Sequence, residues 1–507
     1  MLRAFGVFLL GVAFSAVMIS WSSFVDPDAF YHAKISQIVW EGGALRAFPW
    51  LDLTSFSTNF ADHHYLFHLL EAPFVNAFGL HNGARILAIV LVGLFFAVAY
   101  SVLRWLSIRH PFAWTVLLAL SSPLVFRLLL AKASPLALIW FLVGLAAAWK
   151  RKPWIVFAAT ALFALSHGGW IYLIGSIVLL GIGSVLYDGF VEGKRIHVSF
   201  LKEVVASIVG AGAGLMFHPN FPENLSFLWI QVVKIGLATP FEHVILGSEW
   251  QPAEPMWVFA ALAPWLMLLS AGVYGVFAAR HEQVDRGAMR ASIAFALPVA
   301  VLLALTLKSR RSVEYLIPAL FLWVPWLWNM VDTARLRERF QEAFAPRPRL
   351  FVSAALLLVA ILLVGKNLQS SYTSLHDGRY PDRVYADAFG EISKRAFPGD
   401  RVFHSDWDEF PILWSLDDRL KYVAGLDPTF LYNANPELSN AYRDVTWGKT
   451  TTTKEDVWDL VHDRLNAKFI FIDPRDHKKL LDVVKSDDRY ELLRETEDAV
   501  TFFVRTL

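Results

Sequence analysis

Apolar residues fall in long runs from the N-terminus to about Lys366, separated by short polar stretches that carry most of the charge. The runs lie near 4–24, 86–103, 112–130, 134–149, 154–167, 170–187, 203–217, 256–279, 289–307, 312–332 and 350–366. A helix needs about 20 mainly apolar residues to cross a bilayer, so the pattern predicts a polytopic chain of about eleven transmembrane helices. The first run follows Arg3 and has no small-residue cleavage pattern before Trp21 and Phe24, which predicts an uncleaved helix. The stretch 63–80 is short, opens on His63 and His64 and carries Glu71, so it is expected to lie at the membrane surface.

From Tyr380 the pattern changes. RVFH (401–404), KYVAG (421–425) and KFIFID (468–473) have the length and β-branched or aromatic content of buried strands. The periodicity predicts helices over 456–465 and near 476–486, and a hairpin near 490–506. The expected division is a membrane part over 1–366 and a soluble α/β domain over 367–507.

Of the 507 residues, 56% are hydrophobic and 18% charged, a balance unlike that of a soluble chain of this length. There is no cysteine, which excludes disulfides, thiolate metal sites and cysteine nucleophiles. The net charge of +1 says little as a total; the distribution of charge says more. Basic residues gather in alternate loops: Arg104 with Arg109, Lys150 to Lys152, Lys194-Arg195 with Lys202, Arg280 to Arg290, and Arg335 to Arg349. Placing all five clusters in the cytoplasm leaves 21–85, 218–254 and everything after Lys366 outside. That topology predicts a multi-pass protein of a plasma (inner) membrane with a periplasmic C-terminal domain. Its expected partners are the lipid bilayer and not nucleic acid.

The external side collects the polar chemistry. Asp26 and Asp28 flank Pro27 just beyond the first helix, ahead of Tyr31 and His32. An aspartate in a partly dry cleft serves as a general base or a metal ligand, and Asp-Pro-Asp is equally good turn chemistry. The second large external loop ends Ser248-Glu249-Trp250-Gln251-Pro252. Lys308, Arg310 and Arg311 break the charge rule that the other loops obey; the cluster suits a phosphate or pyrophosphate, and a salt bridge to Glu314 or to the C-terminal domain is the structural alternative. His167-Gly168-Gly169-Trp170 forms a tight turn where glycine permits close approach to the backbone. Asp406-Trp407-Asp408-Glu409 stands at a strand-to-helix junction, fit either to recognise a ligand or to cap the helix with Asp406 or Asp408. His63, His64 and His68 could bind a metal, although interfacial histidines more often make only polar contacts.

In this order, these segments resemble the catalytic subunit of oligosaccharyltransferase, a family of the GT-C superfamily of membrane glycosyltransferases. Asp28-Ala29-Phe30-Tyr31-His32 looks like its first-loop motif, and Ser248-Glu249-Trp250-Gln251-Pro252 is similar to its fifth-loop Ser-Glu-x-Gln-Pro. His167 to Trp170 looks like its Trp-Gly-Gly-aromatic turn, and Asp406 to Phe410 like its Trp-Trp-Asp-Tyr-Gly motif. Arg310-Arg311 fall where the family has a phosphate-binding arginine.

The resemblance implies transfer of a sugar or oligosaccharide from a polyprenyl-phosphate or pyrophosphate donor to a glycan, lipid or protein acceptor. Asp28, Asp26 and Glu249 would be catalytic, with Asp28 and Glu249 as ligands of Mg2+ or Mn2+ if a metal is used. Arg310, Arg311, Lys308 and Lys132 would hold the donor phosphate. Trp407, Asp408, Gln251 and His32 would contact the acceptor. Two departures bear on this. The family's acidic pair in the second external loop is replaced by Pro123 to Pro135 with Arg127 and Lys132 and no acid, so metal-independent catalysis is also an expectation. The degraded Asp406 to Phe410 motif leaves protein N-glycosylation as an alternative to other acceptors. A flippase or transporter would place charges within the spans and repeat its halves, and a non-catalytic scaffold would give Asp28, Glu249 and the arginines no shared purpose.

Overall fold

The computed structural model describes residues 1–194, 200–233, 247–278, 285–343, 346–447 and 452–505. Arg195, residues 280–284 of the expected Arg280 to Arg290 cluster, and residues 234–246 of the segment 218–254, expected to be external, lie outside the described residues. The chain forms two compact units, and each gathers distant segments.

The first unit comprises Met1–Ile19, Leu87–Met216 and Ser248–Asp377 and is helical throughout. Among the described residues, five helices are long and apolar enough to cross a membrane: Leu80–Trp105, Trp170–Val191, Pro255–Phe277, Arg286–Lys308 and Leu350–Leu375. The expected run 112–130 is two helices, Pro111–Ala119 and Ser122–Leu128, bent by 75°, and counts as a sixth if taken as one span. Pro123 supplies the break: it has no N–H to donate and suits the first turn of a new helix. Leu2–Met18 (α1), Ser134–Trp149 and Pro153–Ser166 are apolar but shorter. Glycines let some of these helices touch backbone to backbone. A Cβ on Gly210 would stand 2.4 Å from the Phe157 carbonyl oxygen, and one on Gly214 2.4 Å from that of Ala161.

The second unit comprises Ser20–Ile86, Phe217–Gly247 and Gly378–Leu507. Its sheet has the order β4-β3-β5-β7-β6: β3 (Arg401–His404) pairs parallel with β4 (Lys421–Tyr422) and β5 (Phe469–Ile472), and β7 (Val500–Val504) antiparallel with β5 and β6 (Tyr490–Glu495). Phe403, Ile470, Ile472, Val500 and Phe502 bury one apolar core with Val457, Val461 and Val484 from the helices.

The segment after α1 belongs to this unit. β1 (Ser23–Phe24) pairs antiparallel with β2 (Tyr380–Pro381). Asp52 accepts from Arg401 with both oxygens at 2.9 Å and from Lys421 at 2.7 Å. The fully buried Arg85 forks onto Asp382 at 2.9 and 2.5 Å and lies over the Phe24 ring. Helices α2 (Asp28–Gly42), α3 (Phe56–Asn59) and α4 (Tyr65–Phe78) fill the interval, with α2 against α4. The stretch expected at the membrane surface is α4, 14 residues long.

Candidate functional site

In the first unit, the turn at Ser248–Trp250 is joined to the turn that begins at Ser309. Glu249 sits in the short helix Ser248–Trp250 and Arg311 in Arg310–Ser312, and the two helices are in contact. Arg310 N–H donates to the Gln251 carbonyl at 3.1 Å, Ala253 N–H to that of Leu307 at 3.2 Å, and the Ser309 hydroxyl to that of Glu249 at 3.2 Å. The expected catalytic carboxylate and the expected phosphate-binding arginines therefore share one small surface.

Arg127 completes it. Its Nη1 donates to Glu249 Oε2 at 2.6 Å and its Nε to Glu314 Oε2 at 3.1 Å, while Arg311 Nη1 donates to Glu249 Oε1 at 3.1 Å. Ser134 adds a hydrogen bond to Glu314 Oε2. Burial alone would raise the Glu249 carboxyl; Arg311, Arg127 and Lys132 outweigh it and hold the group well below the usual carboxylate range. Both oxygens of Glu249 thus carry guanidinium groups, and no acid stands among Pro123 to Pro135. That donor set does not fit Glu249 as a ligand of Mg2+ or Mn2+, which require oxygen atoms turned toward the ion.

The other cations are placed differently. Arg310 lies 5.1 Å from the Trp257 ring, and its buried Nε has no hydrogen-bond partner among the described residues. Arg311 stands over Trp250 at 5.1 Å. Lys308 ends the Arg286–Lys308 helix, where its charge complements the helix dipole. The His167 turn packs on the same element as Glu314: Gly169 N–H donates to His167 Nδ1 at 2.8 Å, and a Cβ on Gly169 would stand 1.8 Å from the Tyr315 hydroxyl. Tyr315 stacks on Tyr172 with centroids 4.3 Å apart.

In the second unit, Asp26 Oδ1 accepts from Asp28 N–H at 3.0 Å, so Asp26-Pro27-Asp28 does form a turn, and it opens α2 with Asp28 in the first turn. Both Asp26 and Asp408 act on Tyr380, whose hydroxyl donates to Asp408 Oδ2 at 3.4 Å; burial first, then these charges, push the phenol well up. Burial, Asp406 and Glu409 push Asp408 up to about 8. His477 stands 3.6 Å from Asp406, longer than a hydrogen bond; burial opposes its charge, but the pairing with Asp406 and the charge of Glu409 push it up to about 9.

Neither Asp406 nor Asp408 caps the helix Phe410–Leu416. Glu409 reaches back instead, accepting from the Ser405 hydroxyl at 2.5 Å and Asp406 N–H at 2.9 Å, because the chain turns before it enters the helix. Trp407 lines an open cleft with Pro428, Leu431, Tyr442, Arg443 and Trp447. His32 lies within α2, almost fully buried, with Nδ1 at 2.7 Å from His68 Nε2.

Sequence reasoning noted Arg127 only for the acids it replaced, and gave Asp62, Tyr380 and His477 no role. The one available signal was the His64–His68 spacing of four on a helix, which places both rings on one face.

No family model matches the chain, and no curated relative does. Solved structures do. The Archaeoglobus fulgidus oligosaccharyltransferase AglB, in complex with an inhibitory peptide and a dolichol-phosphate, is 13% identical with a TM-score of 0.64, over 97% of this chain and 72% of that one. ArnT from Cupriavidus metallidurans bound to undecaprenyl phosphate is 15% identical with a TM-score of 0.53, over 98% of this chain and 97% of that one. The mycobacterial arabinofuranosyltransferase AftD is 12% identical with a TM-score of 0.57, over all of this chain (100%) and 40% of that one. At these identities the likeness is one of fold, and at that level the expected GT-C resemblance is borne out.

Proposed function

We propose that the chain is a membrane glycosyltransferase of the GT-C type, moving a sugar or oligosaccharide from a polyprenyl-phosphate or pyrophosphate carrier to an acceptor on the extracytoplasmic face. The observation that carries this reading is the fold shared, over nearly the whole chain, with two proteins solved with polyprenyl phosphates. The cationic cluster of Arg127, Arg310 and Arg311 gives the reading a chemical basis.

In this mechanism the anomeric carbon's bond to the carrier phosphate breaks as the acceptor's oxygen or nitrogen bonds to that carbon. The acceptor proton passes to a carboxylate, for which Asp28 is the candidate with Asp26 beside it. Arg310, with Lys308 and Lys132, neutralises the departing phosphate. Arg311 and Arg127 hold Glu249 ionised, and no step runs through a divalent cation at Glu249. Trp407 and Asp408 bind the acceptor. Eleven spans with the C-terminal domain outside complete the reading. Because the chain has no cysteine, a single Lys394→Cys variant labelled by an impermeant maleimide on intact cells tests that sidedness.

The decisive experiment is transfer of labelled sugar in membranes expressing the wild type or Asp28→Asn, supplied with total lipid-linked donors. Label reaching a product only with the wild type supports the reading. No transfer by abundant, folded wild type sinks it, and equal transfer by Asp28→Asn removes Asp28 from the chemistry.

A further inference from the structure

His64-Tyr65-Leu66-Phe67-His68 puts two histidines four residues apart at the start of α4, and the hydrogen bond from His68 N–H to the His64 carbonyl at 3.0 Å confirms one helical turn between them. Helix α2 packs against α4 and adds His32. One ring nitrogen from each of the three falls within 4.8 Å of the others. Ring centroids are 5.0 Å apart for His32 and His68 and 4.9 Å for His32 and His64. His32 and His68 are buried and His64 is partly so.

His32 Nδ1 and His68 Nε2 are joined by a 2.7 Å hydrogen bond, which a metal ion shared by the two rings would replace. The groups behind them match what a metal site needs. His68 Nδ1 faces Asp62 Oδ2 at 2.8 Å, which leaves Nε2 turned toward His32, as in the carboxylate–histidine pairs that orient metal ligands. The other oxygen of Asp62 accepts from His64 N–H at 3.2 Å, so one buried carboxylate positions two of the three histidines. Further along α4, Glu71 is fully buried, and its Oε1 has no hydrogen-bond partner among the described residues. Asp62 supplies negative charge that three neutral imidazoles lack.

We infer that His32, His64 and His68 form a binding site for a borderline divalent transition-metal ion such as Zn2+, tying α2 to α4. Imidazole nitrogen favours such ions over Mg2+ or Ca2+, which take oxygen. Zn–N bonds of about 2.0–2.1 Å put two ligand nitrogens about 3.3 Å apart on a tetrahedral ion, so the 2.7 Å separation of His32 and His68 opens by roughly half an ångström on binding. The site lies one turn from Asp28 along α2, and its task is to fix that helix. It differs from an Mg2+ or Mn2+ site at Glu249, and it does not depend on the proposed sugar transfer.

The test uses the full chain in detergent, stripped with EDTA and titrated with Co2+ alone. The expected result is one equivalent bound with the strong visible absorption of a tetrahedral ion. His64→Cys should add a thiolate-to-cobalt charge-transfer band, assignable at once because the chain has no other cysteine. Asp62→Asn should weaken binding by about 10- to 100-fold. Absence of saturable binding by the folded wild type, a question that needs no variant, overturns the proposal. So does Co2+ binding that persists unchanged when His64→Ala and His68→Ala are combined.

Discussion

Arg127 and Glu249 are joined at 2.6 Å across 122 residues of sequence, and the same guanidinium holds Glu314 through its Nε. One arginine thus neutralises two carboxylates.

Removal of that arginine leaves Glu314, 1% exposed, without its main partner. Arg127→Ala should cost on the order of 3–5 kcal/mol, since breaking a buried pair strands the remaining charge. Arg127→Lys keeps the charge but not the fork and should fall between. Thermal unfolding in detergent, with Glu249→Gln to close a double-mutant cycle, measures this; an unchanged midpoint for Arg127→Ala would show that the bridge contributes nothing to stability.

Gly169 has no room for a methyl group. With Tyr315 Oη 1.8 Å from the site of a Cβ, Gly169→Ala should destabilise by about 1–3 kcal/mol through overpacking. Adding Tyr315→Phe removes the oxygen and should recover part of the loss, although the ring carbon at 2.7 Å still crowds the methyl. Equal stability of the single and double variants would place the strain elsewhere.

The second unit should lose stability in alkali. Asp408 goes from an ordinary 3.8 to about 8 in the fold, so its protonated form is favoured and stability declines as pH rises from 3.8 through 8. His477 goes from 6.5 to about 9, so its contribution is complete below 6.5 and disappears as pH rises through 9. Unfolding curves between pH 7 and 9.5 should therefore fall by on the order of 1 kcal/mol or more, and Asp408→Asn should flatten part of that slope. A flat wild-type profile would contradict both shifts.

Arg310 and Arg311 should separate. Arg310 has no ion-pair partner among the described residues, so Arg310→Ala should weaken polyprenyl-phosphate donor binding by about 10-fold or more with little change in unfolding temperature, and should reduce its sensitivity to salt. Arg311→Ala also releases Glu249 and should lower stability. Donor affinity unaffected by Arg310→Ala would return that residue to a packing role on Trp257.

The helices with membrane-spanning character and the strands β3, β5 and the final hairpin were legible because hydrophobic period and side-chain branching act over a few residues. The bend at Pro123 was signalled by its proline yet missed within a continuous apolar run. Of the candidate site residues, Glu249 and Arg311 do meet, 62 residues apart in sequence. Asp26 was open to two readings, and its carboxylate does make the turn.

What the sequence by itself determined is the apolar character of the long helices, the absence of thiol chemistry and the order of the polar motifs, all properties of composition and short-range pattern. Tertiary structure decided the pairings: that Arg127 takes two glutamates, that Glu409 rather than an aspartate turns back at the strand end, and that His32 on one helix meets His64 and His68 on another. Charge and hydrogen-bond energies fall away within a few ångströms, so a partner is chosen by which helices pack together, and no local pattern records that choice.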